Sequence, residues 1–351
     1  MTFYDRKGGA WWNAFNNLKR HLSSDIQFDL IEIYHPFDTA KYDFFYLPEE
    51  YLVRLAWFIP SSKIISGSCC STLCEKAILA HARGDFRASI YNSLEMYEKA
   101  KHLPNVFLGQ RGVDTNFFAP SKEIPQEFTA CWVGNSRSVG EKGLDIIKQA
   151  CNLAHIPLRY LDSSILSQPM RQEEIRDTIY HRSSVYICAS KWEGTPNPAL
   201  EALSCGLPVI STPVGNMPEI LINGVNGLIV ERSPEAIADA LRRLKKADLH
   251  SLRCNARISI CNGWTWKHQA AKYEHAFKAL AQANAFVQGR DSLFPGDCGK
   301  VLTSLAIEAF MQGDMKKAAK CLAWRFRYSG FCRLLRKEKH RMSSIILRFN
   351  G

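Results

Sequence analysis

The chain has 351 residues, 46% hydrophobic and 23% charged, an ordinary globular balance and long enough for two domains. The formal net charge of +11 is concentrated: residues 316–348 hold eleven Lys or Arg and the single acid Glu338, which leaves the rest near neutral and argues against nucleic acid as a partner of the whole chain. No uninterrupted apolar run approaches the roughly 18 residues of a membrane span, and YLVRLAWFI at 51–59 is short and carries Arg54.

The opening MTFYDRKGGAWW lacks the apolar core of a secretory leader, which predicts a cytoplasmic protein. The first strand has to be the stub TFY at 2–4, followed by the loop Asp5-Arg6-Lys7-Gly8-Gly9 and the helix WWNAFNNLKRHL. From 28 to 110, FDLIEIY, YDFFYL, KIISGS, RASIYN and NVFLGQ read as strands. EEYLVRLAWF, STLCEKAILAHA and LEMYEKAKHL read as helices among them. Such alternation predicts a parallel sheet with helices on its faces. The twelve cysteines are scattered apart from Cys69, Cys70 and Cys74 and form no paired CxxC units, so they read as buried thiols and no metal site is expected.

RGVDTNFFAPSKEIPQEF at 111–128 has two prolines and no clear period, and reads as a linker. The alternation then restarts, with strands at 129–135, 158–164, 185–190, 208–214 and 227–232. Helices fall at 143–154, 172–183, 198–205, 217–223 and 234–247. The organisation predicted is one doubly wound domain over 1–112, a second over 113–263, a closing helix over 264–284 and a basic helical tail over 285–351. Ligands of open parallel sheets bind beyond the carboxyl ends of the strands, so the two domains are expected to face each other across a cleft. In the tail, apolar residues at 331, 334, 335, 342, 345, 346 and 349 share a helical spacing with the positive charge. That combination suits an anionic membrane surface contacted through 329–349; a solvated helical face or a contact with another macromolecule stays open.

EGTPNPALEALSCGLPV at 193–209 sets Glu193 and Glu201 on either side of two prolines. Pro198 suits the first position of a helix and Asn197 its cap, which puts Glu193 on the loop leaving the strand VYICAS and Glu201 in the first helical turn. Free N–H groups at such a helix start favour an anion such as phosphate. The two carboxylates fit hydrogen bonds from sugar hydroxyls beside it. On spacing alone, a dipole-complementing Glu201 and a solvated Glu193 fit as well. VGNSRSVGEKGLDII at 133–147 adds a strand, a glycine-bearing loop with the cations Arg137 and Lys142, and a helix, a unit suited to a diphosphate. It is neither GxGxxG nor a Walker loop. The loop with Lys7, Gly8 and Gly9 is a third candidate on the opposite wall.

Residues 193–230 and 133–147, with GVDTNFF at 112–118 and WTWKHQAAKY at 264–273, resemble the retaining glycosyltransferases of family 4. Glu193 and Glu201 match that family's pair of glutamates spaced eight apart. The likeness is strong over about 105–280 and weak before it. It implies the GT-B fold, two facing doubly wound, Rossmann-like α/β domains. It also implies transfer of a hexose from a nucleotide-diphosphate sugar to an acceptor hydroxyl with retained configuration, without metal or bound cofactor. The catalytic residues implied are Glu193, near the sugar C3 hydroxyl, and Lys142, against the departing diphosphate. The donor-binding set implied is Gly8, Gly9, Arg137, Lys142, Glu193, Gly194, Thr195, Pro196, Asn197 and Glu201, the last on the ribose. A glycan or lipid-linked acceptor is implied, in envelope polysaccharide or lipopolysaccharide synthesis at the inner face of the cytoplasmic membrane.

The chain departs from the family pattern at several positions. Asn135 stands where the family has Arg, with Arg137 as the nearest replacement, and Arg111 stands where it has Asn. No histidine follows YDFFYLP; the sequence there is Tyr46-Leu47-Pro48-Glu49-Glu50, and His35 and His81 read as structural. A sugar-nucleotide epimerase on the same fold and a non-catalytic GT-B partner protein are the alternatives.

Overall fold

The computed structural model of the chain describes residues 1–4, 9–32, 38–49, 52–53, 59–68, 74–123, 125–137, 141–166 and 170–282. The expected helix over 49–58 falls mostly outside these residues, as does the tail 285–351. Two all-parallel sheets form the framework. The first has six strands: β1 (Thr2–Tyr4), β2 (Leu30–Glu32), β3 (Phe45–Leu47), β4 (Ile64–Ser68), β5 (Ala88–Tyr91) and β6 (Val106–Leu108), in the order β2-β1-β3-β4-β5-β6. The stub β1 is an interior strand, in register with β2 from Thr2↔Leu30 to Tyr4↔Glu32 and with β3 at Thr2↔Tyr46. Thr2 Oγ1 donates to the Tyr46 carbonyl at 2.7 Å. Helices α1 (Ala10–His21), α2 (Cys74–Ala82) and α3 (Leu94–Ala100) connect these strands.

The second sheet comprises β7 (Ala130–Gly134), β8 (Leu158–Asp162), β9 (Val185–Cys188), β10 (Val209–Ser211) and β11 (Gly227–Ile229), in the order β11-β10-β9-β7-β8. Every residue of β9 and β10 is buried. A parallel strand covered on both faces has no polar side to show, so VYIC and VIS are continuous apolar runs. Helices α4 (Leu144–Ala154) and α8 (Pro234–Lys246) pack on one face with Ile147, Ile187, Ile210 and Leu241. The other face gathers Leu200, Leu203, Val209, Ile220 and Ile260. It is covered by α5 (Gln172–Ile175, continued as a wide π turn to Tyr180), α6 (Asn197–Ser204), α7 (Met217–Ile220) and α9 (Leu249–Cys261). Helix α8 starts on a Ser233 side chain that accepts from Ala236 N, has Pro234 in its first turn, and ends in Arg243, Lys245 and Lys246. That is the cap-and-charge pattern a helix dipole favours.

Helix α9 is absent from the sequence reading. Its buried residues Leu252, Arg253, Ala256 and Ile260 include a cation and an alanine, which weakens the apolar signal. Asp248 nevertheless caps it, accepting from His250 N and Ser251 N. The helix matters because of Arg257. Its Nη1 donates to the Phe118 carbonyl (3.1 Å), the Ser204 carbonyl (2.8 Å) and Ser204 Oγ (2.9 Å), and its Nη2 to the Thr115 carbonyl (2.9 Å). One side chain thus ties the linker to the end of α6. Helix α10 (Trp266–Gln282) then crosses back, burying Trp266, Tyr273, Phe277 and Leu280 against Phe28, Tyr46, Ile65 and Ile90.

Removing Arg257 strips partners from three carbonyls at once. Arg257→Ala is expected to lower unfolding free energy by roughly 3 kcal/mol, read by urea denaturation, with Arg257→Lys recovering less than half because an ammonium cannot bridge both segments.

Candidate functional site

The loops at the carboxyl ends of the two sheets meet. Thr195, beyond β9, donates through Oγ1 to the carbonyl of Asn92, just beyond β5, at 3.3 Å. Glu219, on α7 beyond β10, accepts from Leu94 N at 2.9 Å and from Gln110 Nε2 at 2.5 Å. Of the residues predicted from sequence, Thr195 lies on this seam, and Glu193, Gly194 and Lys142 lie on the loops behind it.

Glu193 occupies the loop leaving β9. Its Oε1 accepts from Ser190 Oγ at 2.7 Å and from Lys142 Nζ at 2.5 Å. The side chains of Lys142 and Glu193 are 23% and 11% exposed, so the pair is largely shielded from water and from salt. The glycine-bearing loop reaches Glu193 because Gly143 is left-handed, φ +71°, and packs its Cα where a Cβ would come within 2.4 Å of the Ala189 carbonyl. Arg232 Nε donates to that carbonyl at 3.0 Å and its Nη2 to the Glu141 carbonyl at 3.2 Å, lacing the loops after β7, β9 and β11 together. On the other side Gly215, φ +52°, presses against the Gly194 carbonyl, 2.1 Å from where its Cβ would stand. Asn216 follows, its N–H donating to Gly194 O and its Nδ2 to Thr195 Oγ1.

Helix α6 begins one residue earlier than expected. Asn197 is its first residue, Pro196 its cap, and no side chain caps it. Glu201 therefore falls in the second turn rather than the first, and the dipole-complementing reading loses its geometry. Glu201 Oε2 accepts from Tyr180 Oη at 2.7 Å. Burial pushes its carboxyl up to about 7, against the opposing pull of that hydrogen bond. Tyr180, on the π turn, was not singled out in the sequence, where nothing marks it apart from its neighbours.

Thus Glu193, Lys142, Gly194 and Thr195 come together, with Pro196 and Asn197 opening α6 beside them. Arg137 stands apart on an exposed turn, its N–H donating to Asn135 Oδ1 at 3.0 Å. Asp162 holds that turn by accepting from Ser136 N and Ser164 N, both at 3.0 Å. Burial alone would raise its carboxyl, but the hydrogen bonds from Ser136 and Ser164 hold it well below the usual range. On the first domain Gly9 caps α1 and accepts from Asn13 N at 2.9 Å; Gly8 lies outside the described residues. His81 is buried, bonded to Ser89 Oγ at 2.9 Å, and pushed down to about 4 by burial, the behaviour of a neutral structural histidine. Among the described residues no three His, Cys, Asp or Glu side chains cluster as a metal site would need, and no helix is long and apolar enough to cross a membrane. A cavity of about 600 Å³ lined by Phe28, Phe44, Tyr46 and Phe277 opens at the amino ends of the first sheet, away from Glu193.

Two parallel α/β sheets meeting through their carboxyl-end loops define the GT-B class of glycosyltransferase fold. Anabaena HepE, crystallised with UDP and glucose, shares it with a TM-score of 0.59 and 14% identity, over 79% of this chain and 98% of that one. Residues 159–246 match the family model described as glycosyl transferases group 1. The chain is similar to the Vi polysaccharide biosynthesis protein VipC/TviE of Salmonella typhi, 36% identical over 88 residues, 24% of this chain and 15% of the relative. It is also similar to the D-inositol 3-phosphate glycosyltransferase of Frankia alni, 31% identical over 110 residues, 30% of this chain and 27% of the relative. The chain thus spans less than a third of either relative's length.

The Glu201 environment gives a pH signature. A carboxyl raised from 4.5 to about 7 on folding contributes fully below the unfolded value and loses that contribution as pH rises through the folded one. Melting temperature of the wild type should therefore fall, relative to Glu201→Gln, between about pH 4.5 and 7, corresponding to on the order of 2 kcal/mol. Parallel pH profiles for the two proteins would contradict a desolvated Glu201.

Proposed function

We propose that the chain is a retaining hexosyltransferase that uses a nucleotide-diphosphate sugar, with residues 1–112 on the acceptor side and 113–263 holding the donor. The observation that carries this reading is the Lys142–Glu193 pair at the carboxyl edge of the second sheet. A diphosphate arriving beside Lys142 replaces Glu193 as its anion. A sugar hydroxyl donating to Glu193 then replaces the lysine, so neither charge is left unpaired. Lys142 so placed faces the negative charge that grows on the leaving diphosphate, and a fixed cation there lowers the barrier more than it favours the bound donor. Gly194 to Asn197 bring the start of α6 to the same place, with Gly9, at the start of α1, for the opposite wall. Glu201 accepts from the ribose hydroxyls in addition to Tyr180, and Arg137 reaches the phosphates from its exposed turn. The acceptor is a glycan or lipid-linked glycan of envelope polysaccharide synthesis, a reading supported by the likeness to a Vi polysaccharide biosynthesis protein. The basic segment 329–349 adds attraction to an anionic membrane surface.

Thermal melting with UDP, GDP, ADP and TDP and their sugars tests the donor site, because a ligand of the folded state raises the melting temperature. One base should give a shift that Glu201→Ala reduces. Lys142→Ala should lower nucleoside-diphosphate release by about 100-fold while the melting temperature without ligand stays within a few degrees. A cooperative melt that no nucleotide shifts would refute the donor reading.

A further inference from the structure

The seam between the sheets is polar, and one of its buried side chains stands unused. Asn92 is 3% exposed, and neither its Oδ1 nor its Nδ2 has a hydrogen-bond partner among the described residues. The groups around it are engaged. Thr195 Oγ1 accepts from Asn216 Nδ2 at 2.7 Å while donating to the Asn92 carbonyl. Gln110 donates to Asn216 Oδ1 at 3.5 Å and to Glu219, and accepts from Lys272 Nζ at 2.6 Å. Helix α3 does not need the Asn92 side chain either, since Ser93 Oγ caps it by accepting from Met96 N. A buried amide with both halves unpaired is rare, and an apolar side chain of the same shape would be more stable there.

The chemistry of the amide narrows its ligand. One carbonyl acceptor and one N–H donor stand side by side, which two adjacent hydroxyls of a pyranose complement. Asn92 brings no charge to hold an anion, and the Glu219 carboxylate and the Lys272 ammonium on the same seam offset each other. Through Thr195, Asn92 is tied to the loop that carries Glu193. We infer that the Asn92 amide binds a vicinal diol of a sugar at the seam and thereby helps to set which hexose the protein accepts; this rests on the glycosyltransferase reading above.

The test uses the full chain with Asn92→Leu, and Asn92→Ala should leucine not fit. Calorimetry is run with UDP, GDP, ADP and TDP and the matching glucosyl nucleotides, and transfer is measured to a panel of methyl hexosides. If the diol belongs to the donor, Asn92→Leu binds the bare nucleotide within about twofold of wild type but the sugar nucleotide about tenfold more weakly. If it belongs to the acceptor, donor binding is unchanged and the KM for the hexoside rises about tenfold at unchanged kcat. Either result supports the inference, provided the variant melts at or above the wild-type temperature, as removal of an unpaired amide predicts. A variant that keeps wild-type affinity and KM for every sugar overturns the role of Asn92 and leaves the donor site standing. A wild type that binds neither nucleotides nor sugar nucleotides overturns both.

Discussion

Helix α10 does not remain with the domain that precedes it, and the arrangement of the two sheets depends on that crossing. Its apolar face completes the core of the first sheet, where Trp266, Ala270, Tyr273, Ala276 and Phe277 join Phe15, Phe28 and Tyr46. Tyr273 Oη donates to the Gly109 carbonyl at 2.6 Å, at the point where the outgoing linker leaves β6. Four residues later the outgoing and returning strands run side by side, bridged at Val113↔Thr265, with Val113 N donating to the Trp264 carbonyl at 2.9 Å. Burial of several large aromatic side chains is worth several kcal/mol, so this crossing is a strong constraint. It fixes which ends of the sheets can meet, and those are the carboxyl ends.

What meets there is of another kind. Each sheet keeps its own apolar core, and the seam is built from Asn92, Gln110, Thr195, Asn216, Glu219 and Lys272. Burial lowers the affinity of Lys272 for its proton, with Glu219 pulling the other way. Hydrogen bonds contribute modestly when exchanged with water, whereas apolar burial does not find a substitute in water. A polar seam beside an apolar crossing is therefore stable in its topology and costs little to part.

The sequence made the fold readable because alternating strand and helix patterns are local. β9 and β10 are continuous apolar runs, and α8 carries its cap, proline and terminal charges within fourteen residues, Ser233–Lys246. The loops with Lys142 and Glu193 were readable for the same reason, each following a clear strand. The start of α6 was misplaced by one residue because Pro198 is equally acceptable at the second helical position. Helix α9 was missed because Arg253 and Ala256 occupy buried places where the pattern asks for large apolar side chains. The seam left no local trace at all. Leu94 and Glu219 are 125 residues apart, and Asn92 and Thr195 are 103 apart. Their pairing follows from two sheets being brought face to face, which no spacing within either one encodes.

The two glutamates of residues 193–209 show how position within one short segment divides a shared chemistry. Glu193 is on a loop, held by a cation and a hydroxyl, Lys142 and Ser190. Glu201 is on a helix, held by the neutral phenol of Tyr180, and burial raises its carboxyl to about 7. A carboxylate held by a cation and a hydroxyl can exchange either partner for another donor. A carboxyl raised to about 7 is only partly charged near neutral pH, and further donors would favour its charged form. The prolines between them enforce the difference, since they fix the turn that leaves one carboxylate before the helix and carries the other into it.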